Sequence, residues 1–333
     1  MQILNNILQV NNIKKYFTLR RGFKEIFHLA DIQYVKAIDD VSFKIGKGRV
    51  FVLAGESGSG KTTLARLILR AIDPDSGSII FDGEDITKNN GSKLKKFRTN
   101  VQMIYQDPYT SINPRMKIKD IVMEPLNIHN RQSSKQERME KVARSLEDVR
   151  LQPVQDMAEK LPHMLSGGQR QRVALARALV LKPKFIVADE PVSMLDVSVR
   201  AEILELMRDL KDRLQISYLY ITHDLSTSRY IGDDIAIMYA GKIVESGPTE
   251  QVLLNPLHPY TQALIDAVSD PDQNNLSEKN IRIKQGGDRT VKDKGCRFYY
   301  RCLYSMNICK NDPMLAEEEK GHYVSCFIYP RKI

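Results

Sequence analysis

The 333-residue chain has no tryptophan, no apolar run approaching a membrane span, and no cysteine before residue 296. The missing tryptophan decides nothing. The missing apolar run excludes membrane-spanning helices, which need about 20 consecutive, mostly apolar residues. The start, Met1-Gln2-Ile3-Leu4-Asn5-Asn6, has no charged n-region and no clean apolar core, so no secretory signal is expected. Together these absences point to the cytosol or the inner face of a membrane. Charge is not lacking, since the net charge is +9. It is dispersed, apart from clusters such as Lys93-Leu94-Lys95-Lys96, and reads as solvated basic faces. The length allows two domains, or one large domain with an appendage.

What is present is organised around Gly55-Glu56-Ser57-Gly58-Ser59-Gly60-Lys61-Thr62, the pattern G-x-x-x-x-G-K-[ST]. Val50-Phe51-Val52-Leu53-Ala54 precedes it and suits a buried parallel strand. Leu64, Leu67 and Ile68 follow at helical spacing. Glycines let such a loop turn tightly with its N–H groups aimed at an anion, and the helix N-terminus adds its positive dipole end. Lys61 is expected to reach the β- and γ-phosphates, and Thr62 to place its hydroxyl on Mg²⁺.

Residues 7–17 read as a strand. An aromatic just before the core can stack on a base. Position favours Phe17 over Tyr16, and simple packing of both is the alternative. Residues 18–34 carry no assignable pattern. Ser78 to Phe81 with Asp82-Gly83 suggests a strand and hairpin, and Val101 to Gln106 a strand ending in glutamine. Residues 117–165 read as a helical insertion, with a capping box at Ser134-Lys135-Gln136-Glu137 and a stripe of Met139, Val142, Leu146 and Val149. Ser166, Gly167, Gly168 and Gln169 then open a helix, with Ser166 as N-cap and a second anion site. Phe185 to Asp189 is an apolar strand closing in two acids. Asp189 fits a Mg²⁺ ligand, and Glu190 can polarise a water. Tyr218 to Ile221 ends in Thr222-His223-Asp224, so His223 stands at the same sheet edge as Lys61 and Asp189. Residues 235–245 suggest a closing hairpin, and His258 starts a last short helix. From Ser269 to Gly295 the chain reads as a polar linker.

The order of these motifs resembles the ATP-binding subunit of ABC transporters over roughly residues 7–265. The resemblance implies an α/β, P-loop NTPase core of the ABC ATPase type, with a helical subdomain (about 107–165) in a nucleotide-binding domain of residues 1–265. A small cysteine-containing extension would occupy 266–333. It makes residues 55–63, including Thr63, the Walker A loop, Gln106 the Q-loop residue and Ser166 to Gln169 the signature. Asp189 becomes the Walker B aspartate, Glu190 the general base, Asp196 the D-loop residue and His223 the switch histidine. Lys61, Gln106, Glu190 and His223 carry catalysis in this scheme, and Thr62, Gln106 and Asp189 hold Mg²⁺.

The stretches 106–116, 191–199 and 258–261 are similar to the oligopeptide/dipeptide importer branch, as is Gly295-Cys296-Arg297-Phe298-Tyr299-Tyr300-Arg301-Cys302. Met194 replaces that branch's usual alanine, Tyr299-Tyr300 stands where relatives have His-Pro, and a proline-rich lead-in before Gly295 is missing. The resemblance implies a two-chain ATP sandwich, usually with a second, non-identical ATPase subunit. It also implies two membrane permease subunits, an extracytoplasmic binding protein and a place at the cytoplasmic membrane face. The same subunit can serve nickel, sugar or phosphonate cargo. A soluble ABC ATPase acting on nucleic acid would bring a coiled coil, a second module or zinc insertions, and none is seen in the sequence.

Cys296, Cys302, Cys309 and Cys326 are spaced by five, six and sixteen residues, which is not a C-x-x-C zinc pattern. A cytosolic setting argues against disulfides. Four thiolates suit a [4Fe–4S] cluster or Zn²⁺, and four free thiols are the other reading. The family resemblance favours the [4Fe–4S] cluster.

Overall fold

Every residue of β3 (Val50–Ala54) is buried, and this strand accounts for the layers on both sides of it. Strand side chains alternate between faces. Val50, Val52 and Ala54 therefore enter one apolar core, while Phe51 and Leu53 enter a second. The computed structural model describes residues 6–18, 34–107, 112–129, 133–268, 283–284 and 294–329. The expectations for residues 1–5 and 19–33, for the loop at 108–111 and for most of the linker after Val268 lie outside the described residues.

Strand β3 pairs in parallel with β8 (Ser217–Thr222) and β9 (Asp234–Tyr239). Strand β7 (Phe185–Asp189) follows β8, and β6 (Val101–Ile104) follows β7, also in parallel. Beyond β9 the sheet turns antiparallel through β10 (Lys242–Pro248), β12 (His322–Val324) and β11 (Ala316–Glu319). A four-stranded antiparallel sheet of β2 (Tyr34–Gly46), β1 (Asn6–Thr18), β4 (Ser76–Phe81) and β5 (Glu84–Asp85) shares the second core with α1 (Lys61–Ile68). Phe43 of that sheet stacks on Phe51 of the main one at 4.8 Å.

The other face carries helices. After α2 (Gly91–Asn100) and β6, the block expected to be helical resolves into α3 (Ile118–His129), α4 (Lys135–Asp148), α5 (Val154–Glu159) and a single 3₁₀ turn at Pro162–Met164. The capping box of α4 forms as expected: Ser134 Oγ accepts from the Glu137 N–H at 3.1 Å, and Glu137 accepts from the Ser134 N–H at 2.9 Å. Val142, Leu146 and Val149 are buried, and Met139 packs against them. The helices α6 (Gly167–Leu179), α7 (Val197–Leu214), α8 (Leu225–Ile231), α9 (Thr249–Leu254) and α10 (Pro259–Val268) complete the layer.

The tail is better packed than its sparse apolar content suggests. Strand β12 extends the main sheet, and Phe298 is 1% exposed among Tyr239, Tyr260 and His258. A buried carboxylate is tolerable only with its lone pairs filled. Glu245, wholly buried, accepts from the Leu257 and His258 N–H groups, both at 2.8 Å, and meets His322 Nε2 at 2.7 Å. Burial also pushes the His258 pKa down to about 4, so its ring is neutral and Nδ1 accepts from the Tyr260 N–H at 3.0 Å. Replacing Glu245 by Ala strands these three donors and should lower the unfolding free energy by at least about 3 kcal/mol. Arg229→Ala removes an exposed pair with Glu250 and should change it by less than about 1 kcal/mol. Denaturant titration of both variants checks the contrast.

Candidate active site

The carboxyl ends of β3, β6, β7 and β8 meet at one edge of the sheet, where open α/β sheets bind ligands. An open cleft of about 900 Å³ lies there. The loop after β3 lines it with Gly55, Ser57, Gly58, Gly60, Lys61, Thr62 and Thr63. Gln106 follows β6, Glu190 follows β7, and His223 follows β8, and all three reach the same cleft.

The loop's glycines are required by space as well as by torsion. A Cβ on Gly55, at φ 151°, would stand 2.2 Å from the carbonyl oxygen of Met238, and one on Gly60, at φ 108°, 2.4 Å from that of Ala37. The loop is thus pinched between the two sheets. Lys61 Nζ folds back and donates to the carbonyls of Gly55 at 2.7 Å and Glu56 at 2.9 Å. Burial lowers its pKa, against the pull of Glu190, Asp189 and Glu56. Burial raises the pKa of Asp189, while its hydrogen bond with the Thr62 side chain works in the opposite direction. The Thr62 hydroxyl and the Asp189 carboxylate are hard oxygen donors of the kind that fits Mg²⁺.

Glu190 sits at φ 49°, in the left-handed region. Such strain in a non-glycine residue persists only where the surroundings hold it. Its N–H donates to the Ile221 carbonyl at 2.9 Å. One carboxylate oxygen accepts from Gln106 Nε2 at 2.8 Å, and the other lies 3.0 Å from His223 Nδ1. Three strand ends thus deliver one acid with a partner on each oxygen.

Ser166 and Gln169 form a reciprocal cap on α6, at 3.2 and 3.0 Å. A Cβ on Gly168 would meet Val199 Cγ1 at 2.5 Å, so this turn is pressed against the start of α7, where Asp196 is the N-cap residue. Ser166 and Asp196 are exposed, and Ser166, Gly167, Gly168, Gln169 and Asp196 do not line the cleft. Phe17 is exposed and pairs in register with Val35, which does line it; Phe17 itself does not. Tyr16 packs instead: its hydroxyl donates to Asp39 at 2.6 Å, and burial and that carboxylate push its pKa up to about 12. Sequence reasoning missed Tyr34 and Arg297 in the lining, and had Glu56 there only as a member of the loop, with no role of its own. Arg297 belongs to the quoted 295–302 stretch, but nothing in the sequence tied that stretch to the loop.

A glycine cradle, a buried lysine and paired acids at strand ends define a P-loop NTPase. The chain matches the ABC transporter family over residues 38–193, and the oligopeptide/dipeptide transporter C-terminal region over 244–309. It belongs to the ABC transporter ATP-binding proteins, in their oligopeptide/dipeptide group, and is an ATPase of that type. The oligopeptide transport ATP-binding protein AppF of Bacillus subtilis is 42% identical over 97% of both chains. The dipeptide transport ATP-binding protein DppF of Haemophilus influenzae is 42% identical over 96% of both. Among solved structures, the dimeric post-hydrolysis state of the ATP-binding cassette MJ0796 with ADP and Pi superimposes with a TM-score of 0.62 at 27% identity, covering 73% of this chain and 98% of that one.

The cysteines correct the expectation of a [4Fe–4S] cluster. Among the described residues no group of three or more His, Cys, Asp or Glu side chains is placed to hold a metal ion. Cys296, Cys302, Cys309 and Cys326 are free thiols around a space of about 10 Å³, no larger than one water needs. Burial also favours the neutral form of these thiols. It pushes the pKa of Cys296 up to about 12 and that of Cys326 to about 11, and raises that of Cys302. Cys326 should therefore alkylate with iodoacetamide at pH 8 about 100-fold more slowly in the native than in the unfolded chain. The stability that this burial supports is present below the ordinary thiol pKa of 9.0 and lost as the pH climbs towards about 11 to 12. Timed labelling with mass spectrometry, and unfolding curves across that range, check both.

Proposed function

We propose that this chain is the ATP-hydrolysing subunit of a membrane importer for oligopeptides or dipeptides. The carrying observation is Glu190, held between Gln106 and His223 above the phosphate loop. ATP enters with its phosphates in the cradle of residues 55–63, where backbone N–H groups and Lys61 meet the negative charge. Lys61 exchanges the carbonyls of Gly55 and Glu56 for phosphate oxygens. Thr62, Asp189 and Gln106 would hold Mg²⁺, which when bound spreads the charge of the β- and γ-phosphates. Glu190 accepts a proton from the attacking water, whose oxygen bonds to the γ-phosphorus as the bond to the bridging oxygen breaks and ADP leaves. His223 and Gln106 orient the acid, and Phe17 offers its exposed ring to the base.

The signature supports a two-chain site, because Ser166 to Gln169 stand apart from the cleft of their own chain, with Ser166 exposed at the helix start and able to close another. The MJ0796 cassette is a dimer in its post-hydrolysis state. The partner proposed here is a second, non-identical ATPase subunit, with Asp196 at the contact. Two permease subunits would dock on the helical block, beside a groove where Tyr105 and Ile128 are each 50% exposed. An extracytoplasmic binding protein would deliver peptide to the permease, and nucleic acid has no part. Among the described residues no helix is long and apolar enough to cross a membrane, so attachment to the cytoplasmic face would run through the permease. Residues 1–265 form the nucleotide-binding unit in this reading, with the helical block at about 107–165, and 266–333 extend it.

Glu190→Gln should cut ATP turnover by about 100-fold or more, keep ATP bound and accumulate the closed two-chain state. Phosphate release and size exclusion with ATP test it; retained turnover would remove Glu190 from the base role.

A further inference from the structure

The phosphate loop contains an acid that its own task disfavours. Glu56 lines the cleft, and its carboxylate has the same sign as a polyphosphate. It is met by Arg301 of the tail, 245 residues away, in a bidentate pair: Nη1 donates to Oε2 and Nη2 to Oε1, both at 2.9 Å. Arg301 is itself fixed. Its guanidinium lies 5.7 Å from the Tyr239 ring centroid and 5.6 Å from that of Phe298, and Nη1 donates to the Tyr239 hydroxyl at 3.3 Å. Beneath it, Tyr239 contacts Tyr260 at 4.6 Å and Phe298 at 5.3 Å. The Tyr260 hydroxyl accepts the Glu56 N–H at 2.8 Å. The hydrogen bonds to Glu56 also hold the charge on Arg301 more firmly than usual. Glu56 is thus held by N–H, carbonyl and carboxylate at once, through Tyr260, Lys61 and Arg301.

We propose that Arg301 is a positioning residue that neutralises and orients Glu56, so that the C-terminal extension sets the affinity of the phosphate loop for ATP. The proposal rests on the cleft being the nucleotide site. The competing role for the pair is a plain tether for the tail, and charge separates the two. Removing Arg301 leaves an unpaired carboxylate facing the phosphates. Removing Glu56 leaves Arg301 as an unpaired cation just behind the cleft wall, whose charge favours them. Removing both restores neutrality.

The test uses the full chain and three variants, Arg301→Gln, Glu56→Gln and the double substitution. MgATP binding is measured by calorimetry at about 50 and about 300 mM salt, and KM and kcat by phosphate release. Arg301→Gln should bind ATP about tenfold more weakly at the lower salt, with the gap narrowing at the higher and the change falling on KM rather than kcat. Glu56→Gln should bind as tightly as the wild type or tighter, and the double variant should recover to within about twofold of it. Weaker binding by Glu56→Gln, or no recovery in the double variant, would overturn the proposal in favour of a tether. Should Arg301→Gln fail to fold, Glu56→Gln decides alone by the same criterion. Wild-type chain that binds no ATP would overturn the functional reading and this proposal with it. Binding by the wild type matched by Arg301→Gln would overturn this proposal alone.

Discussion

A cradle of backbone N–H groups holds an anion only if the backbone cannot relax away from it. Here the constraint is steric. Gly55 and Gly60 pass so close to the carbonyls of Met238 and Ala37 that no side chain fits at either point. One carbonyl comes from β9 and the other from β2, so the loop's shape is set by how the two sheets stack. The second core, with Phe43 on Phe51 and Leu64 and Leu67 of α1 beneath, sets that stacking. Catalytic geometry is thus a product of packing energy spread over many residues, none of which touches a phosphate.

Charge is arranged around that rigid loop in layers. Lys61 and Asp189 lie deep, where burial disfavours both charges and each needs its counterpart. Glu190 lies nearer the surface, with an amide on one oxygen and an imidazole on the other. Its left-handed backbone is tolerated because the N–H is anchored on β8 and the side chain is held on both sides. The strain sits where a small change in the geometry of Gln106 or His223 re-aims the acid.

Much of the chain was legible because its signals are contiguous. The phosphate loop, the capping box at Ser134, the N-cap at Ser166 and the acids closing β7 are local patterns with local causes, and each forms as expected, Ser166 with a reciprocal bond to Gln169 besides. The place of Tyr34 at the cleft and the pairing of Glu56 with Arg301 were invisible for the opposite reason. Their meaning comes from tertiary contact, and Glu56 and Arg301 meet across 245 residues. The cysteines show what residue type alone cannot decide. Four thiols in one tail suggested a cluster, but ligation depends on placement, and among the described residues no group of three or more ligating side chains is placed to hold a metal ion. Apolar count likewise misjudged the tail, whose anchoring runs through Glu245, His322 and sheet pairing as much as through hydrocarbon.

The outermost strand of the main sheet, β11, carries Glu317, Glu318 and Glu319 in succession. An open sheet edge is a template for joining another copy of the same chain, and a run of like charges is one of the ways proteins refuse that pairing. Inside it, β12 and β10 bring Val324, Ile243 and Val244, all buried. The acidic border therefore discourages this edge of the main sheet from pairing with another copy and growing sideways into aggregates.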